Sequence, residues 1–317
     1  MPLSGTILVA ALLIDRCIGD PHTPYHPVAL LGRFIGWWGR PSEYRRSFHR
    51  IAGCIFWLLT VILFMLPFLL FDQLVRGYEI WWLYLLAAPF LLKSTFAWRS
   101  LEEHAFSVEE GLRADPDAGR SAVSMMVSRK TATLTDEQVR SAAYESVAEN
   151  LVDSIIAPIF WFAVLGLPGA AMYRAANTMD AMLGYRDERE ALGWFSARAD
   201  DVLSYIPARI AGCLLLVWFA LRGRGRTALS ILRRDAKKRP GFNGGIPMAL
   251  IAGGCGIVFD KPDGYRIGDS LHSLGERGRC VIAAVRGATL IFSLLLLLLS
   301  LSSFLLSGDI FPLFPLL

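Results

Sequence analysis

The chain has 317 residues, of which 54% are hydrophobic and only 19% are charged, and its net charge is +4. Together with a mean hydropathy of +0.44, this balance excludes an ordinary soluble domain and predicts an all-α, polytopic integral membrane bundle with a helical soluble-type insertion and possible re-entrant segments. The basic residues cluster in short loops beside apolar segments, which argues for membrane orientation and against nucleic-acid binding.

The apolar runs predict a single integral membrane domain over residues 1–317, with a polar helical loop at 99–150. Arg45 and Arg50 belong to a basic flank before the second run, which places that flank in the cytoplasm by the positive-inside rule. The second and third runs are predicted to form a membrane hairpin. The spans are expected near residues 3–14, 51–71, 80–98, 151–172, 202–221 and 281–306.

The loop after the first apolar run reads GDPHTPYHPVALLGR and is rich in turn residues, which predicts an ordered, non-helical connection. Asp15, Asp20, His22 and His26 have side chains that can ligate a metal, but their spacing matches no standard cage. We therefore favour a Mg²⁺-binding or substrate-binding role for Asp15 or Asp20 over a histidine metal site.

The polar loop is predicted to contain an amphipathic helix, a turn at Asp115-Pro116-Asp117 and a helix start at Thr135. Arg129 and Lys130 lie between these elements. Such a pair either grips a phosphate or is simply solvated, and the sequence leaves both readings open.

A row of carboxylates begins at the end of this loop. Read as a helix, the chain places Glu145, Glu149 and Asp153 at i, i+4 and i+8, on one face at the mouth of an apolar segment. Like charges at such short distances repel each other. A divalent cation, or arginines from other parts of the chain, are therefore expected to neutralise the three carboxylates.

The next apolar segment, 151–172, is interrupted by Pro158 and by GLPG at 166–169. It is predicted to be either one kinked span or a hairpin that returns to the side it left. The following helix brings Arg174, Asn177 and Asp180 into one sector.

Asp201, Tyr205 and Arg209 repeat the four-residue spacing, so Asp201 and Arg209 are expected to reach each other along a helix that Pro207 kinks. A long basic run from Arg222 to Arg239 then marks a second cytoplasmic flank. These charges could have a purely structural role, as ion pairs at the ends of membrane helices. Because charge near hydrocarbon is costly, we favour a functional site in which the polar motifs converge near the cytoplasmic interface.

The five cysteines show no CxxC or other metal-type spacing. Several lie in apolar runs. We therefore expect no zinc site and no disulfide framework, and we interpret the cysteines as small apolar fillers.

Several of these motifs occur together in an order that resembles the CobD/CbiB family of cobalamin biosynthesis, the membrane-bound adenosylcobinamide-phosphate synthases. They are the Gly-Asp-Pro and His-Pro elements around Asp20 and His26, ESVAEN followed by Asp153 and Pro158, YRAANTMDAMLGY at 173–185, GWFSARADDVLSYIPAR at 193–209, and NGGIPMA from Asn243. The similarity covers most of the chain between Leu12 and Tyr265.

The resemblance implies ATP-dependent amide formation between adenosylcobyric acid and an aminopropanol phosphate or related amino alcohol, with ATP as co-substrate and Mg²⁺ as cofactor. The expected partners are these substrates, the lipid bilayer of the cell membrane and other membrane enzymes of late cobalamin assembly. Carried onto this sequence, the candidate catalytic residues are Glu145, Glu149, Asp200 and Asp201. The candidate metal ligands are Asp153 and Asp180. The candidate substrate-binding residues are Asp20, His26, Arg129, Asn150, Arg174, Asn177, Arg198, Arg209 and Asn243.

One element departs from the family pattern. Family members commonly show His-x-Ser-Pro-Asn-x-Gly where this chain reads KRPGFNGG from Lys238, so the histidine is absent. No phosphate-binding glycine motif is visible, and nucleotide binding is therefore implied by the resemblance alone.

Two other classes of function compete with the synthase. A non-catalytic AmpE-like membrane sensor or scaffold would tolerate loss of the carboxylate rows, and their presence argues against it. A corrinoid transporter is suggested by the GLPG break and by intramembrane arginine, but paired repeats are not seen.

Overall fold

The computed structural model describes residues 3–20, 23–262 and 264–307; His22 lies outside them. The structure is 79% helical and its described residues contain almost no strands, which confirms the all-α membrane fold. Among these residues, three helices are long and apolar enough to cross a membrane: Arg46–Gly77, Asp136–Leu183 and Leu274–Leu306. A fourth span is reached if the bent pair Glu190–Leu203 and Tyr205–Ala220 counts as one.

Thirteen α-helices follow one another within the described residues. They are α1 (Leu3–Cys17), α2 (Pro27–Trp38), α3 (His49–Gly77), α4 (Trp81–Lys93), α5 (Trp98–Ala114), α6 (Pro116–Ser124), α7 (Asp136–Leu151), α8 (Ala157–Leu183), α9 (Glu190–Leu203), α10 (Tyr205–Ala220), α11 (Gly225–Asp235), α12 (Gly245–Cys255) and α13 (Leu274–Ser307). Short 3₁₀ turns lie at Pro41–Glu43, Arg46–Phe48 and Ala236–Lys238, a π-helical turn at Val152–Ile156, and an antiparallel hairpin pairs β1 (Val258–Asp260) with β2 (Arg266–Gly268).

Two predicted spans are shorter as helices than the sequence indicates. The predicted span 80–98 corresponds to α4, which has only 13 residues and ends at Lys93 before α5 begins at Trp98. The first, α1, has 15 residues. A straight membrane-spanning helix needs about 20 residues, so both helices are shorter than that length.

The predicted interruption of 151–172 is seen at two points. The π-helical turn Val152–Ile156 precedes Pro158, where a regular helix would place the proline ring against the carbonyl of Ser154. Gly166 has φ 69° and ψ −158°, and a Cβ built on Gly169 would lie 2.4 Å from the Trp161 carbonyl oxygen. Residues eight apart in a straight helix are separated by about 12 Å, so the chain turns sharply at Gly166.

The prediction that Asp201 and Arg209 share one kinked helix is wrong. The helix ends at Leu203 and a new one begins at Tyr205, with Ser204 between them. Pro207 has no N–H to donate to the Leu203 carbonyl, four residues earlier, and the Trp161 indole donates to that oxygen instead (3.1 Å). The break therefore precedes the proline and leaves Asp201 and Arg209 on different helices.

The chain divides into two compact units. The first comprises the described residues up to Ala97, Ala157–Ser204 and those from Ser293 onward. Its core lies where α2, α3, α8 and α9 meet, and it is closed by Trp38 stacking on Phe56 at 5.4 Å. The outward faces of α3 and α13 expose rows of leucine and isoleucine, as expected of helices that face lipid.

A close approach of α3 and α9 fixes the geometry of this unit. A Cβ built on Gly53 would lie 2.1 Å from the Leu192 carbonyl oxygen, a distance that backbone atoms cannot relieve without moving a helix. Gly53→Ala is therefore expected to destabilise the protein by about 1–3 kcal/mol, measured as a lower thermal unfolding midpoint in detergent. Gly77→Ala in the same helix meets nothing within 4 Å and is the matched control; equal midpoints for both variants would contradict this packing.

The second unit comprises Trp98–Ile156 and Tyr205–Phe292. The predicted helix start at Thr135 is confirmed: its hydroxyl accepts from the Gln138 amide, and the Gln138 side chain accepts from the Thr135 amide. The predicted turn at Asp115-Pro116-Asp117 is the start of α6, with Asp115 as its cap. α5, α6 and α7 bury a small core around Val108, Val123 and Val139.

The expectation that no cysteines pair is wrong. Cys255, the last residue of α12, forms a disulfide with Cys280 in α13, and their Cα atoms lie 5.9 Å apart. The two cysteines are 25 residues apart in the sequence, and this spacing belongs to no motif that would have predicted the disulfide. Within the described residues, Cys17, Cys54 and Cys213 take part in no disulfide.

Candidate functional site

The second unit contains a buried carboxylate held by three donors. Glu145 lies on α7 and is only 4% exposed. Its Oε1 accepts from the Ser141 hydroxyl at 2.6 Å, its Oε2 accepts from the Tyr265 hydroxyl at 3.0 Å, and Arg129 Nη2 lies 3.2 Å from Oε2. Burial raises the pKa of Tyr265, and the Glu145 and Glu149 carboxylates raise it further, so this hydroxyl stays protonated and donates.

The sequence left open whether Arg129 grips a phosphate or is a solvated cation. In the structure its guanidinium is largely buried, and its hydrogen-bond donors are not all paired. Its side chain is 16% exposed. Nη2 contacts Glu145, whereas Nη1 is buried and has no hydrogen-bond partner among the residues that the structure describes. A buried charged donor without an acceptor is costly. The geometry suits an anionic oxygen that would complete the guanidinium fork.

Glu149, one turn further along α7, pairs with Arg239 at 2.6 Å. Burial alone would lower the pKa of Arg239, but the nearby carboxylates of Glu149 and Asp153 raise it. A Cβ on Gly244 would lie 2.6 Å from the Arg239 guanidinium carbon, so the glycine leaves room for this side chain. Of the two neutralising groups that the sequence predicted, a divalent cation or arginines, the structure places arginines beside Glu145 and Glu149.

The row itself is not a continuous helical face. Asp153 falls in the π-helical turn, which shifts the register after Leu151. Asn150, one of the predicted substrate-binding residues, donates to the Ser146 carbonyl and accepts from the Ser154 hydroxyl at 2.7 Å. Its side chain therefore satisfies the backbone and hydroxyl groups around this change of register.

The loop between Arg239 and α12 is held by a second arginine. Arg209 Nη1 donates to Asn243 Oδ1 at 2.7 Å, and Nη2 donates to the Phe242 carbonyl at 3.2 Å. Arg209 therefore holds two residues of this loop, and one of them, Asn243, is itself a predicted substrate-binding residue. The β hairpin is held against α7 beside Glu145, because the Asp260 amide donates to Ser141 Oγ at 2.7 Å.

In the first unit, the predicted residues Asp15 and Asp20 share a lysine that the sequence pattern did not indicate. Lys93 is 5% exposed. Its Nζ lies 3.0 Å from Asp15 Oδ1 and 2.6 Å from Asp20 Oδ1, and it donates to the Phe96 carbonyl at 3.3 Å. The only sequence signal was a lone lysine ending an apolar helix.

His26 has a structural role at the start of α2. Its Nδ1 accepts from the Val28 amide at 3.3 Å, as the cap of that helix, and Nε2 lies 3.8 Å from Asp20 Oδ1. Burial lowers the pKa of His26 below its ordinary value, so the ring is neutral at pH 7. The neutral ring carries its proton on Nε2, facing the aspartate.

The remaining predicted residues of the first unit lie on α8 and α9. Asp200 is buried and accepts from Asn177 Nδ2 at 3.2 Å, while Ser204 Oγ lies 2.9 Å from the Tyr173 hydroxyl. Asp201 lies 3.9 Å from Arg198, whose side chain is 61% exposed. Arg174 and Asp180 are half-buried on α8 with Asn177, as the spacing predicted.

The predicted site residues thus fall into two sets. Those in the first unit are Asp20, His26, Arg174, Asn177, Asp180, Arg198, Asp200 and Asp201. Those in the second are Arg129, Glu145, Glu149, Asn150, Asp153, Arg209 and Asn243. Over residues 3–20, 23–262 and 264–307, no group of three or more His, Cys, Asp or Glu is placed to hold a metal ion. A single cavity and a magnesium site remain predictions.

Comparison with known proteins agrees with the order of motifs. The family model described as CobD/Cbib protein matches residues 8–292. A probable cobalamin biosynthesis protein CobD of Methanothermobacter thermautotrophicus is 40% identical over 274 residues, covering 85% of this chain and 88% of the relative. Proteins named cobalamin biosynthesis protein CobD from Brucella suis (38% over 303 residues; 87% and 89%) and Dehalococcoides mccartyi (36% over 272 residues; 84% and 88%) are also similar.

No solved structure matches the chain significantly. The family model extends over nine-tenths of the sequence, and the relatives match along most of their own length. The chain therefore belongs to the CobD/CbiB protein family, whose named members act in cobalamin biosynthesis.

Proposed function

We propose that this protein is an ATP-dependent acid–amine ligase of the cell membrane that joins adenosylcobyric acid to an aminopropanol phosphate, giving adenosylcobinamide phosphate. Family membership supports the pathway. The observation that carries the reaction type is the buried Glu145 beside Arg129, whose Nη1 has no hydrogen-bond partner in the described part of the chain and is suited to a phosphoryl oxygen. An unsatisfied guanidinium can stabilise the charge of a transferring phosphoryl group, and a nearby carboxylate can accept the proton that the attacking amine loses.

The chemistry follows from the poor reactivity of a carboxylate towards amines. An oxygen of the corrinoid carboxylate attacks the γ-phosphorus of ATP, the bond to the bridging oxygen breaks, and ADP leaves. The amine of the amino alcohol then attacks the carbonyl carbon of the acyl phosphate and expels inorganic phosphate. The proton lost by the amine passes to a protein carboxylate, for which Glu145 and Asp201 are the candidates.

For the second unit a magnesium nucleotide is a better candidate than a bare metal ion, because no group of three or more His, Cys, Asp or Glu among the described residues is placed to hold a metal alone. Mg²⁺ is usually held by one or two carboxylates together with substrate phosphates and water, and Glu149 and Asp153 would supply those carboxylates. The bound ion would neutralise phosphate charge. Arg129 and Arg239 would bind phosphate oxygens, since guanidinium groups pair with them in bidentate fashion.

Purified protein in detergent provides the decisive assay. We expect ADP and phosphate to form only when the corrinoid acid, the amine and ATP are all present, together with one amide product per ATP. Corrinoid uptake into sealed vesicles without ATP turnover would instead favour a transporter, and neither activity would favour a sensor or scaffold.

Asp201→Asn is expected to abolish product formation while the protein remains folded. The side chain of Asp201 is 35% exposed and lies 3.9 Å from Arg198, and ion pairs as exposed as this one contribute little, so loss of its charge should cost little stability. Product assays and thermal unfolding midpoints check the two halves of this expectation. Normal turnover in this variant would remove Asp201 from the catalytic residues.

A further inference from the structure

A cavity of about 290 Å³ lies in the second unit, away from the residues assigned above. It is formed by α11, α12 and the chain that leads into α13, and its lining includes Arg224, Thr227, Cys255, Asp269 and His272. Cys255 is one half of the disulfide with Cys280, so we call this space the disulfide cavity. It admits a small molecule but not a folded protein, and it gives small reagents a route to a cysteine that is only 2% exposed.

The shape of the disulfide cavity is set by backbone contacts. A Cβ built on Gly253 would lie 2.8 Å from the Thr227 carbonyl oxygen, so α11 and α12 pack closely there. The His272 amide donates to the Gly256 carbonyl at 3.0 Å, which holds the chain before α13 against the end of α12. The cavity is therefore part of the fold and not a gap between loose segments.

One guanidinium lies beside the disulfide. Arg224 Nη1 is 4.0 Å from Cys280 Sγ and 3.4 Å from the Gly254 carbonyl oxygen. Within the part of the chain that the structure describes, Arg224 forms no ion pair, whereas the carboxylate of Asp269 is paired with Arg234 at 2.8 Å. The cavity is therefore positive where it meets the disulfide, and a positive charge stabilises a thiolate.

The position of the disulfide in the chain indicates that it is reversible. Arg224 belongs to the basic run from Arg222 to Arg239, which the positive-inside rule places in the cytoplasm. Small thiols keep cysteines reduced in that compartment, and a disulfide that forms there is usually transient or redox-sensing. Such a disulfide exchanges fastest where the attacked sulfur is accessible and the leaving sulfur is stabilised as a thiolate.

We propose that Cys255 is a thiol-exchange site for small anionic thiols, which enter the disulfide cavity beside Arg224. The thiolate attacks Cys255 Sγ, the bond between the two cysteines breaks, and Cys280 leaves as a thiolate that the guanidinium stabilises. A second small thiolate attacks the sulfur of the first and frees Cys255. The two small thiols leave as one disulfide, having lost two electrons and two protons, and the two cysteines gain them.

Thiol exchange is followed without ATP or corrinoid, so the proposed function does not affect its outcome. The full-length protein is purified in detergent without reductant, and the thiols of Cys17, Cys54 and Cys213 are blocked with N-ethylmaleimide. Glutathione is then added, newly formed thiols are trapped with iodoacetamide at successive times, and peptide mass spectrometry locates each label. We expect glutathione on Cys255 and the trapping label on Cys280 at early times, and the trapping label on both cysteines later.

The role of charge is tested with mercaptoethanesulfonate, mercaptoethanol and cysteamine, which are anionic, neutral and cationic thiols of similar size. Rates expressed per thiolate should fall in that order, because Arg224 attracts the anion. Arg224→Gln should remove this order and slow exchange with mercaptoethanol about 10-fold, the scale of one lost charge-assisted contact at the leaving sulfur. Arg224→Lys should restore most of the rate, and Arg226→Gln, which changes an exposed arginine outside the lining, should alter neither property.

The proposal is overturned if Cys255 and Cys280 stay as thiols even after exposure to glutathione disulfide, or if their disulfide reacts only once the protein is unfolded. Glutathione attached first to Cys280 would also overturn it, as would a normal exchange rate in an Arg224→Gln protein whose thermal unfolding midpoint shows that it is folded. Should that variant not fold, the three thiols on the unaltered protein decide, and equal or reversed rates would contradict the proposal. Amide synthesis takes no part in these measurements, so their failure and that of the proposed function are distinguishable.

Discussion

Lys93→Met is expected to destabilise the protein by about 3–5 kcal/mol, the usual cost of removing one partner of a buried ion pair. Asp15 is fully buried, and its carboxylate and that of Asp20 both lie within 3.0 Å of the same ammonium. Without Lys93, two like charges would face each other in an apolar environment. Chemical or thermal unfolding in detergent measures the loss.

Two controls separate charge from volume in this experiment. The double variant Lys93→Met with Asp15→Asn removes one charge of each sign and should recover much of the lost stability. Lys130→Met makes the same chemical change at an exposed lysine and should have little effect. The interpretation fails if the double variant is as unstable as Lys93→Met alone.

Glu145→Gln is expected to lower the rate of amide synthesis by at least about 100-fold, which is the scale of losing a positioned general base or charge-stabilising group. Glutamine is nearly the same size and can still accept a hydrogen bond from Ser141 or Tyr265. It cannot neutralise Arg129, so the guanidinium would no longer be held in position. The assay is single-turnover product formation at saturating substrates.

Tyr265→Phe removes one donor to the same carboxylate without changing its charge, so its effect should be clearly smaller. Glu103→Gln is the matched control, because Glu103 is an exposed glutamate of the same unit and is paired with Arg99 at 2.6 Å. Unfolding midpoints of all three variants show whether lost activity reflects lost structure. A Glu145→Gln enzyme with normal rates would place the chemistry elsewhere.

Local features of the fold were accessible from the sequence because neighbouring residues determine them. Thr135 with Gln138 three residues later is a capping signature, and the GLPG element marked the turn at Gly166. The sequence placed a kink at Pro207 itself, whereas the helix ends earlier, at Leu203. A proline has no N–H to donate to the carbonyl four residues before it, so the helix is broken there. The acceptor Leu203 is satisfied by Trp161, 42 residues away.

The partners of the charged residues were not accessible in the same way. The carboxylates were identified as candidates, but Lys93 and Asp20 are 73 residues apart, Arg239 and Glu149 are 90 apart, and Tyr265 and Glu145 are 120 apart. Nothing in the local spacing of one chain encodes such pairs. From the sequence, Arg239 was interpreted as one of the residues of a cytoplasmic basic run. Its contact with Glu149 in the structure sets it apart from the other residues of that run.

The turn at Gly166 bears on how the protein is assembled in the bilayer. Gly166, Leu167, Pro168 and Gly169 are all buried, so protein covers backbone groups that hydrocarbon would leave without partners. A segment interrupted in this way is a poor independent insertion unit, unlike the unbroken apolar helix α3. Its stable placement in the membrane must therefore await the arrival of the helices that shield it, including α9, which the ribosome makes afterwards.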